Sequence, residues 1–255
     1  MKPTAGRALA AIGAVLAIVA VWLDALAATP PQSYWDLDVT LAAFGLGAAI
    51  LALLFAAASF AGRATDGWLF ATGALLLGYY AWFPAYLAFS QWDQTKVGLW
   101  LALAGAALIT IGAAGALLAT GGPASTPARL TPPMLFAGIG IALCIPGIFL
   151  YASSDTSYWN GPFGHWLGIV MLAVTILASL TWTAAYGGAA THGLDLALGL
   201  VLLGLMASEP IGSAFDHLGD LQIGAWLGLL GGILAAGGTW AARRMALPDS
   251  AAAPA

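Results

Sequence analysis

Apolar residues run along this chain in eight stretches long enough to form membrane helices, at about 8–28, 39–61, 68–89, 97–119, 134–151, 165–186, 194–215 and 223–242. A bilayer core about 30 Å thick takes about 20 helical residues to cross. The seventh stretch is the weakest, because its uninterrupted apolar part is only 196–207 and Glu209-Pro210 follows. It is kept as a span because of the internal repeat described below. The pattern predicts an all-α integral membrane protein with eight transmembrane helices.

Basic residues in the short connections set the expected orientation. Lys2 and Arg7 precede the first stretch, Arg63 follows the second, Arg129 follows the fourth, and Arg243 and Arg244 follow the eighth. With eight spans all six fall on one side and only Lys96 on the other, which predicts a cell (cytoplasmic) membrane location with both termini cytoplasmic. Asp36, Asp38, Asp93, Asp155, Asp216 and Asp220 then lie in or beside the outer loops. Lys2 and Arg7 before an apolar run, with Ala25-Leu26-Ala27 after it, also resemble a signal peptide. The run is long for that purpose, and the repeat requires it as a first helix.

Shifted by 126 residues, 62–112 aligns with 188–238 without a gap. The matches include Thr65/Thr191, Gly78/Gly204, Pro84/Pro210, Phe89/Phe215 and Trp100/Trp226. Ser33-Tyr34-Trp35 matches Ser157-Tyr158-Trp159 at a shift of 124. Shared Ala/Gly/Leu bias explains some of this, but coincident Pro, Trp, Phe and Thr are not explained by it. The expected organisation is a tandem duplication: a first four-helix unit in 1–119, a cytoplasmic linker 120–133, a second unit in 134–242 and a cytoplasmic tail 243–255. An even number of spans per unit makes the repeats parallel, related by a pseudo-two-fold axis along the membrane normal. Gly98, Gly105 and Gly112, and Gly224, Gly231 and Gly238, recur every seven residues and so share a helix face with about 20° drift per heptad. Small residues let helix backbones approach closely in lipid, so these faces are expected to pack on other helices.

Composition narrows the class. Apolar residues make up 61% of the chain and charged residues 7%, with mean hydropathy +0.92. A soluble domain carries about 25% charged residues. A net charge of −4 gives no footprint for nucleic acid. The expected partners are the lipid bilayer and another membrane subunit or a further copy of the chain. The one cysteine, Cys144, excludes an internal disulfide and any cysteine-based metal site, and it reads as a small packing residue.

Ionisable groups near membrane helices are the default functional candidates. Glu209, the only glutamate, sits beside Pro210 late in the seventh stretch; Asp24 lies late in the first; His165 starts the sixth; His217 follows the seventh. These four are the candidate polar site, expected in an outward vestibule. Asp66, His192 and Asp195 on the opposite side read as helix caps. Pro84 and Pro210 occupy equivalent places, and paired proline-interrupted helices point to transporter sites. A proline near a helix end also simply ends it. Around them Trp82-Phe83-Pro84-Ala85-Tyr86 in one unit contrasts with Ser208-Glu209-Pro210-Ile211-Gly212 in the other. Aromatic residues are denser on the outer side, as in an interfacial belt.

No cofactor is expected. The only lysines, Lys2 and Lys96, lie outside the stretches, so no Schiff base forms within a helix, and no motif pairs His165 with His217 for haem. No Walker, HExxH, GxSxG or CxxC pattern occurs. The reading is a non-catalytic subunit or scaffold of a membrane complex. The alternatives are a small-solute or ion transporter or channel with an outward acidic vestibule, and, last, a membrane enzyme using outer carboxylates. The nearly bare central thirds of the stretches favour the first, since transporters place coupling groups near the midplane.

Overall fold

The computed structural model describes residues 2–27, 30–37, 39–87, 94–119, 131–153, 156–159, 166–186, 191, 193–212 and 221–246. In chain order its elements are α1 (Pro3–Ala20), β1 (Asp24–Leu26), β2 (Gln32–Ser33), α2 (Tyr34–Leu37), α3 (Val39–Phe60), α4 (Asp66–Leu87) and α5 (Val97–Ala119). There follow α6 (Pro132–Phe149), β3 (Tyr151–Ser153), β4 (Thr156–Ser157), α7 (Trp166–Tyr186), α8 (Leu194–Gly212) and α9 (Ile223–Ala246). Among the described residues, six helices, α1, α3, α5, α6, α7 and α9, are long and apolar enough to cross a membrane, and α8 contains the shorter apolar run Leu194–Ser208. The chain is an all-α, multi-pass membrane protein.

Local sequence explains where the helices begin and end. Pro3 opens α1, and Pro132-Pro133 open α6, where a missing N–H costs nothing. After α3 the backbone turns at Gly62 with φ +83°, a left-handed conformation that favours glycine. There the Arg63 N–H donates to Ala58 O at 3.0 Å and the Gly62 N–H to Ser59 O at 3.1 Å, which closes the helix C-terminus.

Hydropathy alone places the end of the first helix too late. α1 stops at Ala20, and 24–26 pair antiparallel with 32–33, so Asp24 belongs to a hairpin strand and not to a span. A second hairpin, β3–β4, follows α6. Each hairpin is tied to the residue or two before a later helix. The Lys96 N–H donates to Ala25 O, and the Gln222 N–H to Ala152 O, both at 2.9 Å. The Ser33 hydroxyl donates to Asp36 Oδ2 at 2.7 Å and the Ser33 N–H to the same oxygen at 2.9 Å, capping α2. The backbone bond first, and then the hydroxyl, hold the Asp36 carboxyl below its usual range. A carboxyl depressed by folding adds stability above its ordinary value and loses it as pH falls through the depressed one. Hydrogen-exchange protection in this hairpin, corrected for the intrinsic pH dependence of exchange, should therefore fall on acidification below the ordinary carboxylate range, and Asp36→Asn should remove that fall. An unchanged pH profile in the variant would contradict the cap.

The buried side chains form two main clusters. One comprises residues of α1–α5, with Ile211 of α8 packed on it; the other comprises residues from Cys144 to Ala225, with Ala81 and Trp82 of α4 packed on it. Inside each, one helix pair approaches at backbone distance. A Cβ built on Gly105 of α5 would lie 2.7 Å from Gly13 O and 2.8 Å from Ala17 N of α1; one on Gly231 of α9 would lie 2.7 Å from Gly140 O and 2.9 Å from Cys144 N of α6. Gly112 meets Gly6 O and Ala10 N, and Gly238 meets Pro133 O and Ala137 N, in the same fashion. Cys144 thus stands where α1 has Ala17, as a small packing residue. Between the clusters α4 runs against α8, where Gly78 abuts the Val201 carbonyl and Gly204 abuts the Leu75 carbonyl.

Candidate functional site

Of the residues singled out from the sequence, the structure describes Asp24 and the backbone of Glu209. Asp24 is exposed on β1, outside the bundle. Glu209 falls in the last turn of α8, next to the buried Pro210; its side chain lies outside the described residues, as do His165 and His217. Helix α4 continues past Pro84 to Leu87, and α8 continues past Pro210 to Gly212, so neither proline is itself a helix terminus. A third proline, Pro146, sits inside α6.

Beside these an aromatic group fills the first half. The Tyr34 ring meets Tyr80 edge-on at 5.6 Å, Tyr80 meets Tyr79 at 5.5 Å, and Tyr79 meets Phe44 at 4.8 Å. The Tyr80 hydroxyl lies against Gly45 of α3, where a Cβ would collide with it. The Tyr34 and Tyr80 hydroxyls are buried and have no hydrogen-bond partner among the described residues. Desolvation raises the Tyr34 phenol well above its ordinary value, so it stays neutral. A buried hydroxyl without a partner costs about 1–3 kcal/mol. Tyr80→Phe should therefore keep or raise thermal stability in detergent. A clear loss would show that the hydroxyl is bonded in the folded protein.

The opposite end carries charge chemistry that the sequence reading treated only as helix capping. Arg7 of α1 grips Asp66 at the start of α4 through two bonds, Nε to Oδ1 at 3.1 Å and Nη2 to Oδ2 at 2.7 Å. The Ser59 hydroxyl of α3 donates to the same carboxylate. In the second half Arg243 of α9 donates to Asp195 near the start of α8, and Thr191 donates to Asp195 at 2.8 Å. Each acid also sits where a helix N-terminus favours negative charge. The sequence offers half of the signal, an aspartate in the first turn of both α4 and α8; the arginine partners come from the packing of α1 and α9.

The chain matches no family model, no curated protein and no solved structure.

Several helix hydroxyls among the described residues bond back into their own helices. Thr110 donates to Ala106 O at 2.8 Å, Thr175 to Met171 O at 2.7 Å, Ser208 to Leu205 O at 2.7 Å and Thr239 to Ala235 O at 2.8 Å. Hydroxyls bonded back into their own helix offer little to a passing solute. Among the described residues no group of three His, Cys, Asp or Glu is placed to hold a metal ion.

Proposed function

We propose that this chain is an eight-span protein of the cytoplasmic membrane, a duplicated four-helix unit acting as a non-catalytic subunit or scaffold of a membrane complex. The observation that carries the reading is the contact between α4 and α8. There glycine meets backbone in both directions, Gly78 on Val201 and Gly204 on Leu75. Val201 and Leu75 are themselves 126 residues apart, as are the two glycines. A reciprocal contact of this kind is what a two-fold relation between equivalent surfaces produces. Further support comes from the matched glycine seams, in which Gly13, Ala17 and Gly6 correspond to Gly140, Cys144 and Pro133 at a constant shift of 127. Arg7, Arg63, Arg243 and Arg244, together at one end of the bundle, support cytoplasmic termini.

A seam closed by backbone contact, with hydroxyls turned into their own helices, suits a structural element better than a conduit. The test is purification from native membranes in mild detergent, followed by mass measurement of the intact complex, beside flux assays in liposomes. The proposal expects a defined assembly of fixed stoichiometry heavier than the 25.8 kDa chain plus detergent, and no solute flux. A monomer that moves ions or small solutes would overturn it and restore the transporter reading, with Glu209 as the first residue to substitute.

A further inference from the structure

At the arginine end, Arg7 and Arg243 are each paired with an aspartate, whereas Arg244 meets no carboxylate among the described residues. Its guanidinium lies over the Trp240 ring, 5.2 Å from the centroid. A guanidinium stacked on a ring keeps its edge N–H groups available to an anion. Trp240 faces Trp68 of α4 at 6.4 Å, and both rings are open to the surroundings, 44% and 49% exposed. The two helices flank α8, so the rings bridge the boundary between the two halves.

From Arg244 an apolar column descends along one face of α9, through Trp240, Ile233, Leu230 and Trp226, all exposed. Gly237 lies on that face, and a Cβ there would meet nothing within 4 Å, which leaves a notch in the column. A cation at the head of an exposed apolar groove matches an amphiphile with a negative head. We infer that this seam binds one anionic phospholipid, its phosphate on Arg244, its headgroup region against Trp68 and Trp240, and an acyl chain in the notch at Gly237.

The other half lacks the same equipment. At a shift of 126, Trp240, Arg244, Gly237 and Trp68 correspond to Ala114, Leu118, Ile111 and Leu194. A general aromatic belt would recur in both halves; this cation, notch and aromatic pair occur in one. The comparison rests on the duplicated reading, whereas the site on α9 stands on its own contacts.

The test is native mass spectrometry of the full chain released from nanodiscs containing phosphatidylglycerol and phosphatidylcholine in equal amounts. One phosphatidylglycerol should be retained in preference to phosphatidylcholine. Arg244→Gln should lower that preference by about fivefold, as expected for the loss of one cation near a phosphate surface. Gly237→Ile should reduce retention of either lipid, while Arg63→Gln, an exposed arginine at the same end, should change nothing. Undiminished preference in Arg244→Gln would overturn the assignment. Inorganic phosphate that displaced the lipid at millimolar concentration would show a plain anion site and overturn the lipid. Thiol labelling at 96 and 222 tests the duplication separately, so the two failures are distinguishable.

Discussion

Gly78→Leu and Gly204→Leu should each separate the two halves of the molecule, with the largest stability loss of any single substitution considered. At both positions the opposing atoms belong to backbone, Val201 and Leu75, and backbone in a helix cannot swing aside as a flexible side chain can. Overpacking a core costs about 1–3 kcal/mol when neighbours relax, and more when they cannot. Even alanine should be poorly tolerated. Gly47→Leu on α3 is the contrast: a Cβ there meets nothing within 4 Å, so the added side chain enters lipid and stability should change by less than about 0.5 kcal/mol. The comparison is read by thermal unfolding and by size-exclusion profile in detergent. Equal behaviour of positions 47, 78 and 204 would mean that α4 and α8 do not touch.

The second large effect is expected at the arginine end. Asp66→Asn removes the partner of Arg7 and leaves a guanidinium that is only 19% exposed at its side chain without a counter-charge. Breaking a buried pair from one side costs about 3–5 kcal/mol, and partial access to the headgroup layer moves the expectation to the low end of that range. Removing both charges, Arg7→Met with Asp66→Leu, should be less damaging than either single change, because no charge is then stranded. The same cycle at Arg243 and Asp195 should behave alike. Additive single and double effects would show that the pair does not interact.

The helical architecture was legible because lipid imposes one rule on every span: a long apolar run with its backbone bonds satisfied internally. The ends of the runs were less legible. The segment after Ala20 is as apolar as a helix end, yet it forms a hairpin strand; hydropathy sums over residues and does not see strand pairing such as Asp24 with Ser33. Asp24 accordingly sits on an exposed strand rather than late in the first span. The ion pairs were missed for a related reason. Asp66 and Asp195 read as caps because capping is local, whereas Arg7 and Arg243 reach them only through the tertiary packing of α1 and α9. The Tyr34–Tyr80 contact likewise joins α2 to α4, across 46 residues of chain.

The proposed duplicated, parallel eight-span arrangement is tested most directly by thiol labelling of intact cells or sealed vesicles. Cys144 is buried and can be replaced by Ala to give a silent background. Single cysteines are then placed at Lys96 and Gln222, exposed positions 126 residues apart that precede α5 and α9, and at Arg63 and Arg244 at the other end of the bundle. An impermeant reagent added outside should label both 96 and 222 and spare both 63 and 244 until the membrane is opened. Labelling of 96 and 222 from opposite sides of the membrane would contradict the account.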